Sequence, residues 1–107
     1  MRNLNNLIKL RYKLGIRQKD IASFLGYSKS AYSNIENCYR DIDIDTLIIL
    51  SYIFDTNILF LLGITPYNKS LDKNDKKHIK KAYKLNEEKI KKLCSNKAYD
   101  IYTKLEK

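Results

Sequence analysis

Apolar residues recur along this 107-residue chain at i, i+3 and i+4, the spacing of one helix face, and the sequence predicts an all-α fold. Leu4, Leu7, Leu10 and Leu14 give a first helix that ends at Gly15, after which Ile16 turns inward. Ile21, Ala22 and Leu25 mark one face of a second helix, and Tyr32 and Ile35 one face of a third. Asp43 caps a fourth, with Leu47, Leu50 and Phe54 inward; Asn57 caps a fifth, with Ile58, Leu61 and Leu62 inward and Gly63 closing it. Thr65-Pro66 and the polar run to Ser70 read as a linker. Asp72, with Asp75 in the first turn, opens a helix carrying Ile79, Ala82 and Tyr83, which Leu85-Asn86 interrupts. Asn86, Glu87 and Glu88 start the last helix, whose stripe is Ile90, Leu93, Cys94, Ala98, Ile101, Tyr102 and Leu105, opposite Lys91, Lys92, Lys97 and Lys104. The expected organisation is a head of five helices over residues 1–65 and a tail of about two helices over 66–107, a segment for dimerisation or partner binding.

The stretch Arg17 to Asn37, RQKDIASFLGYSKSAYSNIEN, organises the rest. Gly26 stands where a chain leaving a helix needs positive φ. Ser28 can accept from a free N–H in the first turn of the next helix, and Ala22 is small where the two helices would cross. A glycine turn of this length sets two helices at a steep angle and leaves the outer face of the second free. That face is polar and partly basic: Lys29, Ser30, Ser33, Asn34 and Asn37. A helix-turn-helix with an exposed recognition helix is expected, which makes the head, residues 1–65, a DNA-binding domain for double-stranded DNA. Lys29 could donate to guanine O6 or N7, Asn34 could bond adenine in bidentate fashion, and Ser30 and Ser33 suit phosphate or base.

These residues resemble the helix-turn-helix of the Cro/CI-type repressors, also called the XRE family, and the resemblance runs from about Leu4 to Gly63. Gln18 matches the family's glutamine at the start of the second helix. Ile21, Ala22, Leu25, Gly26, Tyr32 and Ile35 match its core positions, and Glu36 its closing acid. The resemblance implies a lambda-repressor-like head, a transcriptional repressor acting as a dimer on a palindromic operator, and an ion pair between Arg11 and Glu36. It implies phosphate contacts by Gln18 and by the loop residues Asn37, Tyr39 and Arg40, with Ser28 also at the phosphate side. Two departures matter. Arg17 stands where the family has a Ser or Thr cap, which costs roughly 1 kcal/mol; its side chain either meets phosphate or is simply solvated. Cys38 replaces a glycine and Ile42 a common proline, so the loop is expected to take another path.

Composition sharpens this only in places. The net charge is +9, but residues 1–40 carry +6, residues 41–65 carry −4 and residues 66–107 carry +7. The helix-turn-helix half is thus positive, as phosphate binding requires; the lysine surplus of the tail follows an Asn-, Ile- and Tyr-rich bias and says less. Cys38 and Cys94 lie far apart with a single His78, so no disulfide, metal site or cofactor is expected. The run Leu47 to Leu62 is broken by Ser51, Asp55, Thr56 and Asn57, which argues against a membrane span. Arg2 followed by asparagines gives no apolar signal core before the first helix, which argues for the cytoplasm of a bacterial or phage-encoded protein. No catalytic constellation stands out, so no enzyme is expected.

Ile49, Tyr52, Leu59 and Phe60 are large apolar residues at outward positions and must be covered, by a dimer partner or by this chain's own tail. The stripe of Ile90, Leu93, Ile101, Tyr102 and Leu105 needs cover too. A homodimer is the expected arrangement. The alternative is a protein-binding module, an antagonist or antitoxin-type partner that works through this apolar face and tail.

Overall fold

Seven helices account for the regular structure of residues 3–94, the residues described by this computed structural model, with no strand among them. They are α1 (Asn5–Lys13), α2 (Gln18–Leu25), α3 (Lys29–Glu36), α4 (Ile44–Ile53), α5 (Ile58–Leu61), α6 (Lys73–Ala82) and α7 (Glu87–Cys94). All-α architecture, five head helices and two more behind them match the apolar spacing.

The turns after α1, α2 and α5 and the starts of α3, α4 and α5 carry the residue types their geometry needs, whereas Asp55 after α4 and Lys84 after α6 take positive φ without being glycine. Gly26 ends α2 at φ 84°, and Gly15 and Gly63 are also left-handed. Ser28, Asp43 and Asn57 each accept a hydrogen bond from the backbone N–H three residues on, at 3.1, 3.0 and 2.8 Å. Arg17 provides no such cap to α2; its Nε donates instead to Asp20 Oδ2 at 2.7 Å. The exception to sequence expectation is the loop after α3. Cys38 adopts φ 61°, the left-handed conformation a glycine would take, so the loop keeps the glycine path and the cysteine carries the strain. Its N–H bonds the Ile35 carbonyl at 3.0 Å, and the next two N–H groups both reach the Asn34 carbonyl. These bonds hold the conformation against the cost of the Cβ.

The core gathers Leu4 and Leu7 from α1 and its approach, Ile21 and Ala22 from α2, Tyr32 and Ile35 from α3, Leu47 and Leu50 from α4, and Leu61 from α5, all buried. Ala22 lets α2 and α3 approach closely, and those two helices make the most extensive pairing in the head. The tail returns to this body. Asp55 beyond the end of α4 pairs with Lys76 at 2.9 Å, while the Tyr83 hydroxyl donates to Asp45 near its start at 2.7 Å. α6 therefore runs antiparallel to α4. α7 then packs against α2, burying Ile90, with Leu93 and Cys94 seated on the core.

The linker is tied down as well. Thr56 Oγ1 donates to Asn68 at 2.6 Å, the Asn57 amide reaches the Tyr67 carbonyl at 3.1 Å, and the Leu71 N–H reaches Asp55 at 3.2 Å. Through Cys94 the tail lies on its own head. Ile49 and Tyr52 are half-buried there, and the Tyr52 hydroxyl donates to Glu87. Ala98, Ile101, Tyr102 and Leu105 lie outside the described residues.

Candidate nucleic-acid interface

The recognition helix α3 is held from beneath by a buried ionic network. Arg11 grips Glu36 in two-pronged fashion, Nε to Oε2 at 2.6 Å and Nη2 to Oε1 at 3.0 Å, and its Nη1 donates to the Ile16 carbonyl at 2.9 Å. Both side chains are almost wholly buried. Burial alone would lower the Arg11 pKa; the Glu36 carboxylate outweighs it and holds the guanidinium above its usual value. Gln18 joins the network, donating from Nε2 to Glu36 Oε1 at 2.9 Å. Beside it, the Tyr32 hydroxyl is buried without a hydrogen-bond partner among the described residues, and burial, then the Glu36 charge, push its pKa up. α1, α2 and α3 are thus fastened at one carboxylate, which fixes how α3 is presented.

What α3 presents is the polar face read from sequence. Lys29, Ser30 and Asn34 are exposed and Ser33 half-buried, and together with Gln18 they line one open depression. A second depression joins it through Gln18 and Lys29 and is rimmed by Arg17, Lys19 and Tyr12. Four of the residues along this surface are cationic, counting the exposed Arg17, Lys19 and Lys29 and the paired Arg11 beneath them. Sequence reasoning passed over Lys19 and Tyr12. Lys19 could have been found from its place in the first turn of α2 beside Gln18. Tyr12 carried no signal, since its exposure comes from the way Arg11 turns inward while stacking against its ring at 4.7 Å.

The loop after α3 supplies the other edge. Asn37, Tyr39 and Arg40 are exposed, Tyr39 by 83%. Arg40 stacks its guanidinium on the Tyr27 ring at 5.3 Å. The Tyr27 hydroxyl in turn donates to Asp43 Oδ1 at 2.5 Å and lies 3.2 Å from Thr46 Oγ1. These hydrogen bonds, Thr46 first and Tyr27 second, draw the Asp43 pKa down to about 2. Ser28 is exposed, and its hydroxyl accepts the cap bond of α3 while keeping its own O–H donor. Of the residues with apolar outward faces, Leu59 is exposed by 53% and Phe60 is half-buried. Among the described residues no group of His, Cys, Asp and Glu could hold a metal ion, and no helix is long and apolar enough to cross a membrane.

Two short helices locked across a glycine turn, the second offering its polar face to solvent, define a helix-turn-helix domain of the DNA-binding kind. The chain belongs to the helix-turn-helix family HTH_3, which matches residues 7–61 and is the family of XRE, Cro and CI-type regulators, not of enzymes. It is similar to the HTH-type transcriptional regulator ImmR of Bacillus subtilis, 40% identical over 57 residues, which are 53% of this chain and 45% of that one. The chain thus spans less than half the length of that relative. No solved structure matches it significantly.

Proposed function

We propose that the chain is a sequence-specific transcriptional regulator, a repressor that binds a palindromic operator as a homodimer in the cytoplasm. Lys29, Ser30, Ser33 and Asn34 read base edges in the major groove, with Arg17, Gln18, Ser28, Asn37, Tyr39 and Arg40 along the flanking phosphates. The observation that carries this reading is the polar face of α3: exposed, set beside cationic Arg17 and Lys19, and lying away from the helices α6 and α7, which pack on α4 and α2. The name of the Bacillus relative, a transcriptional regulator, agrees with it.

In this reading residues 1–65 form the DNA-reading unit, and the tail, as far as Cys94, braces it. One recognition helix spans only a few base pairs, and pairing two heads doubles the contacts. The surface suited to that pairing is the apolar one around α5. Leu59, Ile64 and Tyr67 are exposed by 53, 63 and 75%, and residues 56–68 carry no charge at all, in a chain whose net charge of +9 otherwise drives copies apart.

The test is selection of bound duplexes from a random pool, followed by titration of the winner against salt. A DNA reader enriches a two-fold symmetric sequence, and its affinity falls steeply as salt rises, with a slope set by its phosphate contacts. A second reading draws on the same exposed Leu59, Ile64 and Tyr67: a protein-binding module whose target is an antagonist or toxin-like partner. Tight capture of such a protein, with no enrichment of any duplex, would favour that reading.

A further inference from the structure

Tyr27 occupies the turn between α2 and α3, one residue ahead of the α3 cap, yet its partners come after the end of that helix in the chain. Its ring supports the Arg40 guanidinium at 5.3 Å, and its hydroxyl holds Asp43 at 2.5 Å and meets Thr46 at 3.2 Å. Asp43 is itself the cap of α4, accepting from the Thr46 N–H at 3.0 Å and from the Thr46 hydroxyl at 2.7 Å. One side chain therefore bridges the chain entering the recognition helix and the loop leaving it. That loop contains the strained Cys38, at φ 61°, and is exposed from Asn37 to Asp41. A guanidinium stacked on a ring keeps its in-plane N–H donors for other acceptors, so the ring fixes the cation without consuming its hydrogen bonds. A free arginine on such a loop would lose rotamer freedom on meeting a phosphate; a stacked one has lost part of it already.

We propose that Tyr27 is a positioning residue for DNA binding: its ring pre-orients Arg40 for a backbone phosphate, and its hydroxyl keys that arrangement to the start of α4. This rests on the DNA-binding reading and adds a role that the recognition-helix pattern does not contain. Arg40 is the group that touches phosphate; Tyr27 acts through it.

A double-mutant cycle on the full chain tests this, with a fluorescent random-sequence duplex as the probe and binding measured across a salt series. Tyr27→Leu should weaken binding about fivefold, the scale of one cation–π contact converted to affinity, and Arg40→Ala at least as much, because it removes the phosphate contact itself. Arg40→Ala should make the log–log salt slope shallower by about 0.9, the share of one phosphate contact. Tyr27→Leu combined with Arg40→Ala should bind no more weakly than Arg40→Ala alone. Tyr27→Phe, which keeps the ring, should restore most of the affinity lost in Tyr27→Leu. Thermal melting of each variant separates loss of fold from loss of binding, and Tyr27→Phe remains informative if Tyr27→Leu does not fold. Additive effects in the cycle, or equal weakening by Tyr27→Leu whether or not Arg40 is present, would overturn the assignment while leaving the DNA-binding reading in place. If the unaltered chain binds the duplex with no dependence on salt, the reading and the assignment fall together.

Discussion

The residue that bears most on the presentation of α3 is Glu36, which receives Arg11 and Gln18 and is 4% exposed. Removing one partner leaves the other charge buried and uncompensated, so Arg11→Ala should cost roughly 3–5 kcal/mol of stability, read by chemical denaturation. A loss below about 1 kcal/mol would mean that water reaches the pair more freely than its burial implies. Cys38 makes an opposite prediction. At φ 61° a glycine sits without strain, so Cys38→Gly should stabilise by about 1 kcal/mol. Asp43 governs the acid limb. Its folded pKa, about 2, lies below the usual 3.8, so the stability it contributes is complete above pH 3.8 and is lost as pH falls through 2. Asp43→Asn should flatten the fall in melting temperature over that window; an unchanged profile would show that other carboxylates control it. Of these three residues, Glu36 and Asp43 were legible by position, as the end of one helix and the cap of another. The depth of Glu36 and the Tyr27 hydroxyl on Asp43 were not, because each depends on a residue distant in sequence.

Among the elements, α7 shows where packing took over from pattern. Its stripe demanded cover, and the same demand came from Ile49 and Tyr52 on α4; spacing alone left open whether a second copy or the same chain would answer. In the structure α6 runs along α4 and α7 crosses to α2, so for Ile90, Leu93 and Cys94 the two demands meet within one chain. The contact has an alkaline limit. Burial, then the Glu87 carboxylate, raise the Tyr52 pKa from 10 to about 12. A neutral phenol favoured by the folded state contributes stability below pH 10 that disappears as pH rises through 12. Tail docking should loosen in that range, visible as a drop in helical circular dichroism, and Tyr52→Phe should weaken the dependence, with the Tyr83–Asp45 bond keeping a part of it. Stopping the chain at Thr65 should lower stability by roughly 2–4 kcal/mol, the burial lost with Ile90 and Leu93.

At the scale of the whole molecule, charge and exposure divide the surface. Arg17, Lys19 and Lys29 border the polar face of α3, while the uncharged run 56–68 carries the exposed Leu59, Ile64 and Tyr67. If that apolar surface joins two copies, Leu59→Lys with Ile64→Lys should yield a monomer by light scattering. Since both side chains are already exposed, melting should change by no more than about 0.5 kcal/mol. A variant that stays as dimeric as the parent would move the search for the dimer contact elsewhere, beginning with residues 95–107.

The sequence by itself determined the helices, their caps and the helix-turn-helix, because these depend on local spacing, on glycine's access to positive φ and on side chains that bond backbone a few residues away. It also determined which polar face of α3 stands free. Only the tertiary structure decided that the tail, as far as Cys94, folds back on its own head, that Gln18 is bound into the Arg11–Glu36 network, and that Tyr27 reaches across to Arg40 and Asp43. Those contacts join groups 13 or more positions apart. No local pattern encodes them, since they form only once the burial of the core has brought the helices together.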